Sequence, residues 1–520
     1  MLTNRNTTGL KLEKKGSVKA VEKDRERKSV LNIYAEDVTG SFNPAYALNF
    51  GDQVVAEIVY EPLMKRNLKG ELEKNLIKKL DISKDGKIYT IALKNNLKFS
   101  DGSEVTVKDV FASIAAMAVA QNDQSNLKCY EQILGMDEFA AEQKEFPRGF
   151  VELSSNEFQI IFTEASADNL LVLETLIQKG ATSETASARE IVNEILQHFK
   201  DGIGTGAYAF TETSAGSLCT LKENENYREK IKDISQIEFC SMDYYDMLEN
   251  VEKSAIDIAI YEKSSALYDV LYDWKGFSVY SKPETMVYAI YYNQNQTVLK
   301  DVRVRQAIAH SFNRSSNKLT EVEKYLDFEE GIGFSTEGTK SSGICEYNVS
   351  KAKRLLKKAD AKGISLKLPI IKGNEMQKSL AEALKADLNR IGIELIVNEL
   401  SQEDYIQTLY LTMDFDLYLS GTMIDDSVES LKALYIPEGN LPINVQDAEI
   451  KTAYEELVKS FKPSQVRSAK EQFYVAIEET APVLVLGRSR NFISVSADLS
   501  GFESVPHQIL LSEIHKIKVK

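Results

Sequence analysis

A run of turn signals within residues 80–117 constrains the fold of this chain more than any other part of its sequence. Two short apolar segments flank Lys84-Asp85-Gly86, and Asp-Gly readily adopts the positive φ angles of a tight hairpin turn. A second turn follows at residues 100–103, and Thr106 with Asp109 then forms a capping box in front of apolar residues at helical spacing. The sequence therefore predicts strand, turn, strand, turn and helix in that order.

Helix and strand signals alternate again later in the chain. Apolar residues recur at helical spacing from Met376 to Ile391, Gly392 can end that helix in the left-handed conformation, and an alternating strand pattern follows at 393–397. Residues 415–419 are predicted to form the next strand. This alternation predicts the α/β class, with a mixed sheet covered by helices.

The first apolar run, from Val30 to Tyr34, predicts a strand that is buried on both faces. Residues 49–52 are then interpreted as the loop between this strand and an amphipathic helix over 53–63. Asp52 is therefore expected to cap that helix by accepting the free amide hydrogens of its first turn.

Length and charge limit the classes of protein to which this chain can belong. With 520 residues, 43% of them hydrophobic, it is long enough for about two to four domains. Its net charge of −15 argues against broad binding to nucleic acid or anionic lipid. Residues 1–28 differ, with nine Lys/Arg against four Asp/Glu and no helical or strand period, so we predict a flexible basic tether there.

The cysteines Cys129, Cys219, Cys240 and Cys345 are too few and too widely spaced for a disulfide scaffold, and no C-x-x-C pair suggests zinc or redox chemistry. Cys219 and Cys240 lie in two strand-like runs and would pair only if those strands are neighbours. We favour four isolated buried thiols.

Signatures of enzymes, metal sites and membrane spans are missing from the sequence. It contains no P-loop, H-E-x-x-H, G-x-S-x-G or EF-hand motif, and its four histidines are too far apart to form a local metal pair. No segment reaches the ~18 apolar residues of a membrane span, and the N-terminus lacks the apolar stretch of a secretory signal. We expect no catalytic residues, cofactor or metal, although spacing alone cannot sort 78 carboxylates into acid and base pairs.

Several segments agree in order and spacing with one known family: Val59-Tyr60-Glu61-Pro62-Leu63, Gly70-Glu71-Leu72, 83–94, 97–103, 106–110, Gly204-Thr205-Gly206-Ala207-Tyr208, 224–227, Asn293, 301–308, 352–359 and 384–393. From about residue 29 to the C-terminus the chain resembles the extracellular solute-binding proteins of bacterial peptide and nickel ABC importers. That group contains the oligopeptide- and dipeptide-binding proteins.

Two departures from the family pattern concern the ligand. The family has Asp-Arg where this chain has Asn313-Arg314. The family motif G-W-x-x-D corresponds to residues 421–425, with Thr422 in place of the tryptophan, and the single tryptophan, Trp274, lies elsewhere.

The resemblance implies a periplasmic-binding-protein-like (type II) fold, in which two lobes form a clamshell and mixed β-sheets are flanked by helices. An additional small domain is attached to one lobe. We expect lobe I in 29–63, 201–293 and 483–520, the additional domain II in 64–200 and lobe III in 294–482, after a tether at 1–28.

The resemblance also implies a ligand site between the lobes. Asp425 matches the family aspartate that pairs with the α-ammonium group of a bound peptide, and its alternative role is a turn or helix cap before 427–434. We expect Gly421, Thr422 and Met423 on the same wall, and Asn49 and Phe50 on the other lobe, facing them. The alternatives are exposed loop for Asn49 and core packing for Phe50 and Met423.

The implied function is the extracellular substrate-binding component of an ABC importer that captures peptides, in particular oligopeptides, and delivers them to a membrane permease. The alternatives are a binder of a metal chelate, haem or oligosaccharide with the same fold, or a receptor for a peptide signal. We expect a monomer that is not an enzyme, does not bind nucleic acid, and lies in the periplasm or is lipid-anchored at the extracellular face of the cytoplasmic membrane.

Overall fold

The computed structural model describes most of the chain, and its described residues fall into two compact units. The larger unit comprises Thr8–Lys282 with Asn491–Lys520, and the smaller unit comprises Pro283–Arg490. The described residues are 11–21, 29–36, 38–47, 49–66, 72–120, 128–141, 145–180, 186–198, 202–212, 217–240, 242–262, 265–328, 346–424, 427–436, 445, 447–501 and 513–520.

The larger unit mixes strands and helices. Its strands are β1 (Lys11–Lys14), β2 (Val30–Ala35), β3 (Glu61–Pro62), β4 (Met64–Arg66), β5 (Leu72–Lys74), β6 (Ile77–Ile82), β7 (Ile88–Leu93), β8 (Phe150–Ser154), β9 (Glu157–Ile161), β10 (Leu176–Ile177), β11 (Tyr208–Thr211), β12 (Ser217–Glu223), β13 (Gln236–Cys240) and β14 (Ile258–Glu262). Its helices are α1 (Phe50–Val59), α2 (Val107–Val119), α3 (Lys128–Glu131), α4 (Met136–Ala140), α5 (Ala188–Gln197), α6 (Tyr244–Glu252) and α7 (Tyr268–Asp273).

Two long strands, β15 (Phe277–Tyr292) and β20 (Val483–Ser496), carry the chain from one unit to the other. The smaller unit adds β16 (Asp327–Phe328), β17 (Ser365–Ile371), β18 (Glu394–Leu400), β19 (Leu417–Met423), α8 (Thr297–Lys300), α9 (Val302–Ser311), α10 (Val349–Lys358), α11 (Glu375–Arg390), α12 (Gln402–Gln407), α13 (Val428–Tyr435), α14 (Ala448–Val458) and α15 (Pro463–Thr480). The chain ends in the larger unit with β21 (Leu499–Ser500) and β22 (Lys518–Val519).

The main sheet of the larger unit has the strand order β1-β15-β20-β14-β2-β13-β12-β11. Within it β2 runs parallel to both β13 and β14, whereas β14 is antiparallel to β20. The prediction that β2 is buried on both faces is confirmed, because Leu31 and Ile33 pack into one apolar cluster and Tyr34 into another. The carboxyl ends of three parallel strands therefore lie at one edge of this sheet.

The predicted hairpin and helix are present between residues 77 and 119. β6 and β7 pair antiparallel, and Gly86 occupies their turn with φ +75°. Thr106 caps α2, and the reciprocal bonds of its capping box with Asp109 are both made. Apolar residues from Leu63 to Ile195 form a hydrophobic cluster of their own around these elements.

The described part of residues 1–28 contains a strand where we expected a tether. β1 pairs antiparallel with residues 279–281 of β15, and the amide of Ser17 donates to the carbonyl of Lys275 (2.8 Å). A Cβ atom at Gly16 would lie 2.4 Å from the backbone of Phe277, so the close approach needs glycine. The segment forms a strand because the sheet edge supplies hydrogen-bond partners, which periodicity in a short polar segment cannot reveal.

The start of α1 also differs from the prediction. The helix begins at Phe50 with Asn49 as its N-cap residue, so residues 50–52 belong to its first turn rather than to a loop. Asp52 is fully buried and does not cap the helix. Its carboxylate accepts hydrogen bonds from the Thr39 and Gly40 amides at 2.9 and 3.1 Å, and it thereby holds the loop after β2 against the helix.

The prediction of isolated buried thiols is confirmed for Cys129 and Cys219, whereas Cys240 is only partly buried. Cys129, Cys219 and Cys240 form no disulfide, and Cys345 lies outside the described residues. β12 and β13 are neighbours, but Cys219 is opposite Phe239 whereas Cys240 is opposite Ser217. Cys219 shares the buried face of this hairpin with Phe239, and Cys240 lies on the other face, so adjacency of the strands does not bring the sulfur atoms together.

The smaller unit confirms the helix and strand unit predicted near residue 392. α11 is followed by Gly392, whose φ is +86°, and then by β18, which pairs parallel with β17. Buried residues of α9, α11, β17, β18 and β19 form one hydrophobic cluster with Leu484 and Leu486 of β20. The cluster fixes the helices against the two strands that lead to the larger unit.

A buried arginine joins three segments of the smaller unit. Arg305 on α9 is fully buried, and its Nη2 bonds both carboxylate oxygens of Asp447 at 2.8 Å. Its Nε donates to the carbonyls of Thr480 (3.0 Å) and Ala481 (3.1 Å), and its Nη1 donates to two carbonyls at the end of α8. The guanidinium therefore supplies hydrogen-bond donors to the carbonyl groups at the C-terminus of α15, immediately before β20 begins.

We predict that Arg305→Lys lowers the free energy of unfolding by about 3 kcal/mol, because an ammonium group cannot reproduce the planar set of donors and leaves buried carbonyls unpaired. Arg303→Lys is the matched control, since the Arg303–Asp301 pair is partly exposed and its loss is expected to change the stability little. Urea unfolding of both variants measures the difference. Equal midpoints for the two variants would contradict this role of Arg305.

Candidate functional site

The end of β19 brings together three residues of the predicted ligand site. Gly421, Thr422 and Met423 pair antiparallel with residues 286–288 of β15. Thr422 and the backbone of Met423 are described, whereas the Met423 side chain and the whole of Asp425 lie outside the described residues. The structure thus positions the strand that precedes Asp425.

The helix cap after this strand is supplied by serine. α13 begins at Val428, and the side chain of its N-cap residue Ser427 accepts a hydrogen bond from the Ser430 amide (3.0 Å). The alternative role considered for Asp425, capping this helix, is therefore filled by Ser427.

Thr422, which replaces the family tryptophan, is held by a buried tyrosine that the sequence analysis missed. The hydroxyl oxygens of Tyr291 and Thr422 are 2.6 Å apart, and the Tyr291 ring stacks on Tyr418 with centroids 5.3 Å apart. Burial raises the pKa of Tyr291, so its phenol stays protonated and can donate to Thr422. The pair ties the end of β19 to β15 where the family has an aromatic side chain.

Gly421 lies close to a side chain of the neighbouring strand. A Cβ atom at this position would lie 2.7 Å from the Met286 sulfur, although the backbone around Gly421 is exposed. A larger residue would require Met286 to change rotamer. Because Gly421 has no side chain, no side-chain atoms project from the strand at this position beside Thr422.

The two predicted residues of the larger unit lie at the start of α1. Asn49 is exposed, its carbonyl accepts from the Gln53 amide (3.0 Å), and its side chain makes no capping hydrogen bond. Phe50 is the first helical residue, and its side chain lies outside the described part of the chain. Asn49 thus has a polar side chain that is available to solvent at a helix N-terminus.

A shallow depression lies beside this helix start in the larger unit. It is lined by residues from the carboxyl ends of β2 and β14, from α1 and from β20: Ala35, Glu36, Gly51, Ile260, Tyr261, Glu262 and Asn491. In open α/β sheets, ligands bind outside the carboxyl ends of parallel strands, at the point where the strand order reverses. The depression occupies this position, because β2 has a parallel neighbour on each side.

Glu36, which directly follows β2, is an acidic residue in the lining of this depression. Its carboxylate accepts from the Ser265 hydroxyl at 2.7 Å and from the Glu262 amide at 3.3 Å. The sequence analysis missed this residue. Its position directly after the first buried strand was the signal that could have identified it.

The described residues contain neither a cluster of metal ligands nor a helix suited to a membrane. Among them, no group of three or more His, Cys, Asp or Glu residues is arranged to hold a metal ion. None of the described helices combines the length and the apolar character needed to cross a membrane.

We predict that Thr422→Val destabilises the protein by about 1–3 kcal/mol, because it leaves the buried Tyr291 hydroxyl without its partner. Tyr291→Phe is the control and should cost less, since the partly exposed Thr422 hydroxyl can bond to water instead. Thermal or urea unfolding of the two variants and of the double variant tests this order. A larger cost for Tyr291→Phe would contradict it.

Comparison with known proteins assigns the family. The family model described as bacterial extracellular solute-binding proteins, family 5 middle, matches residues 71–440. The oligopeptide-binding protein AppA of Bacillus subtilis (strain 168) is 20% identical over 499 residues, which cover 90% of this chain and 88% of that protein. The nickel-binding periplasmic protein of Escherichia coli (strain K12) is 25% identical over 383 residues, 68% of each chain.

A solved structure agrees with the fold. The periplasmic murein tripeptide-binding protein MppA, in its unliganded open form, superposes with a TM-score of 0.76 at 18% identity and covers 98% of both chains. The predicted periplasmic-binding-protein-like α/β fold is thereby confirmed, and so is the predicted resemblance. The chain belongs to family 5 of the bacterial extracellular solute-binding proteins.

Proposed function

We propose that this protein is the substrate-binding component of an ABC importer, which captures peptides, in particular oligopeptides, outside the cytoplasmic membrane and delivers them to a permease. The observation that carries the proposal is the match to AppA along 90% of this chain, since that relative is named as an oligopeptide-binding protein. The similarity to MppA, a protein named for binding a murein tripeptide, supports the same ligand class.

The proposed ligand site uses Gly421, Thr422, Met423 and Asp425 on one lobe, and Asn49 and Phe50 on the other. A carboxylate at position 425 would accept charge-assisted hydrogen bonds from the peptide ammonium group. Its support is the family motif together with the position of residues 421–423 at the end of a strand. The Thr422–Tyr291 pair supports a site wall whose side chain at position 422 projects less far towards the ligand than a tryptophan side chain would.

We propose the domain division made from the sequence, with lobe I in 29–63, 201–293 and 483–520, domain II in 64–200 and lobe III in 294–482. Support for a separate domain II comes from the apolar cluster that spans Leu63 to Ile195. Support for lobes I and III comes from two apolar clusters, although Ile290, Tyr292, Leu484 and Leu486, which this division assigns to lobe I, pack in the cluster of the smaller unit.

Binding is coupled to transport through lobe closure in this proposal. Closure of two lobes excludes water, and exclusion of water strengthens each hydrogen bond and ion pair to the peptide. A ligand favours the closed state only to the extent that it binds that state more tightly. We further propose that the protein acts as a monomer, catalyses no reaction, and is lipid-anchored or periplasmic.

The ligand class is tested by native mass spectrometry of the purified protein, compared with its mass after denaturation. We expect a spread of added masses that resolve into short peptides when the released material is sequenced. A single non-peptide mass would instead identify a chelate, haem or sugar ligand. If the bare mass is observed, a thermal-shift screen with peptide pools must show stabilisation, or the peptide proposal fails.

We predict that Asp425→Asn weakens the binding of peptides with a free amino terminus by about 10–100-fold, because it removes the charge from the acceptor. Binding of the matching N-acetylated peptides should be nearly unchanged. Calorimetric titration measures both, with the neighbouring Asp426→Asn as the control variant. An equal loss for the two classes of peptide would remove Asp425 from the ammonium role.

A further inference from the structure

The first strand of the chain covers an edge of the main sheet. β1 is the terminal strand of that sheet, and β15 lies between it and β20. It pairs antiparallel with residues 279–281 of β15, and both segments belong to the larger unit. If β1 were absent, this end of β15 would present unpaired backbone N–H and C=O groups, which are a template for pairing with another chain.

The covered stretch of β15 has the composition of an edge that associates readily. Residues 277–281 read Phe-Ser-Val-Tyr-Ser and contain no charged residue. Phe277 and Val279 are buried in one apolar cluster and Tyr280 in another, so the strand packs apolar side chains on both of its faces. An uncharged, apolar edge strand is a predicted site of association.

β1 has the opposite composition. Residues 11–15 contain three lysines and one glutamate. The pairing shifts register between Leu12 and Lys14, which indicates a β-bulge. Short length, charged residues and bulges are the features by which proteins prevent an edge strand from pairing further. With β1 in place, the sheet therefore ends in a strand that resists pairing.

Two features of the segment fix β1 in this position. The Lys14 ammonium group donates to the carbonyl of Trp274 at 3.1 Å and also to the carbonyl of Tyr272, both at the C-terminal end of α7. The amide of Gly16 donates to the Ser278 hydroxyl (3.0 Å), and a Cβ atom at Gly16 would lie 2.4 Å from the β15 backbone. A side chain at position 16 would therefore force the two segments apart.

We propose that the edge of β15 at residues 277–281 is a self-association surface, and that β1 occupies it in the monomer. When β1 leaves, the partner is the same edge of a second copy of this chain. A twofold axis places a strand antiparallel to its own counterpart, so the backbone groups that β1 leaves open find partners in the second copy. The proposal is independent of the proposed ligand.

The test displaces β1 within the whole chain. Lys14→Met/Gly16→Val, which we call the released variant, removes the ammonium group and introduces the steric clash. Lys15→Met/Ser17→Val is the matched control, because it introduces the same two side chains at exposed positions of the same segment. In analytical ultracentrifugation the mass of the released variant should rise with concentration to about twice the monomer mass. Wild type and the control should stay monomeric.

Hydrogen exchange identifies the surface that associates. In dilute solution the amides of residues 277–281 should exchange about tenfold faster in the released variant than in wild type, and they should regain protection as the concentration rises. Unchanged exchange would contradict the role of Lys14 and Gly16 in holding β1. A released variant that stays monomeric with these amides open, or that associates while they remain open, would overturn the proposal.

A third substitution separates edge pairing from aggregation of an unfolded chain. Ser278→Lys in the released variant places a charge on the edge of β15 and should restore the monomer. Association through unfolded chains would not respond to this single charge. A dimer that persists after Ser278→Lys would therefore also overturn the proposal.

Discussion

The buried guanidinium of Arg305 is the interaction on which the smaller unit depends. Its donors bind carbonyls at the ends of α8 and α15 and the carboxylate of Asp447, so segments far apart in sequence converge on one charged group. A charge can be buried only when its hydrogen bonds are made, and loss of one partner leaves the others without compensation. Because only two residues separate the end of α15 from the start of β20, this group also fixes where that strand starts.

The two long strands hold residues that are distant in sequence. β15 pairs with β1 through its first residues and with β19 through its last residues, and it thereby positions Gly421 and Thr422. In the larger unit, β2 delivers Glu36 to the edge of the sheet at which α1 begins. The strands thus fix the backbone at Gly421 and Thr422, and Thr422 stands where the family motif has tryptophan.

The predictions from sequence were correct where a residue's contacts lie within a few positions of it along the chain. The turn at Gly86, the capping box at Thr106 and the left-handed Gly392 depend on neighbours within a few residues, so the sequence predicted them correctly. The prediction for Asp52 was wrong because its carboxylate bonds to the loop at 39–40 rather than to its own helix. That choice is a tertiary contact, and spacing along the helix contains no information about it.

The sequence by itself determined the α/β class, the family resemblance and the segment that contains Gly421 to Asp425, because these follow from short-range patterns and ordered motifs. Only the tertiary structure decided that residues 11–14 form a strand and that Tyr291 holds Thr422. It also decided that Cys219 and Cys240 stay apart on neighbouring strands. The physical reason is that pairing register, burial and hydrogen-bond partners depend on residues brought together by the fold, which no local pattern encodes.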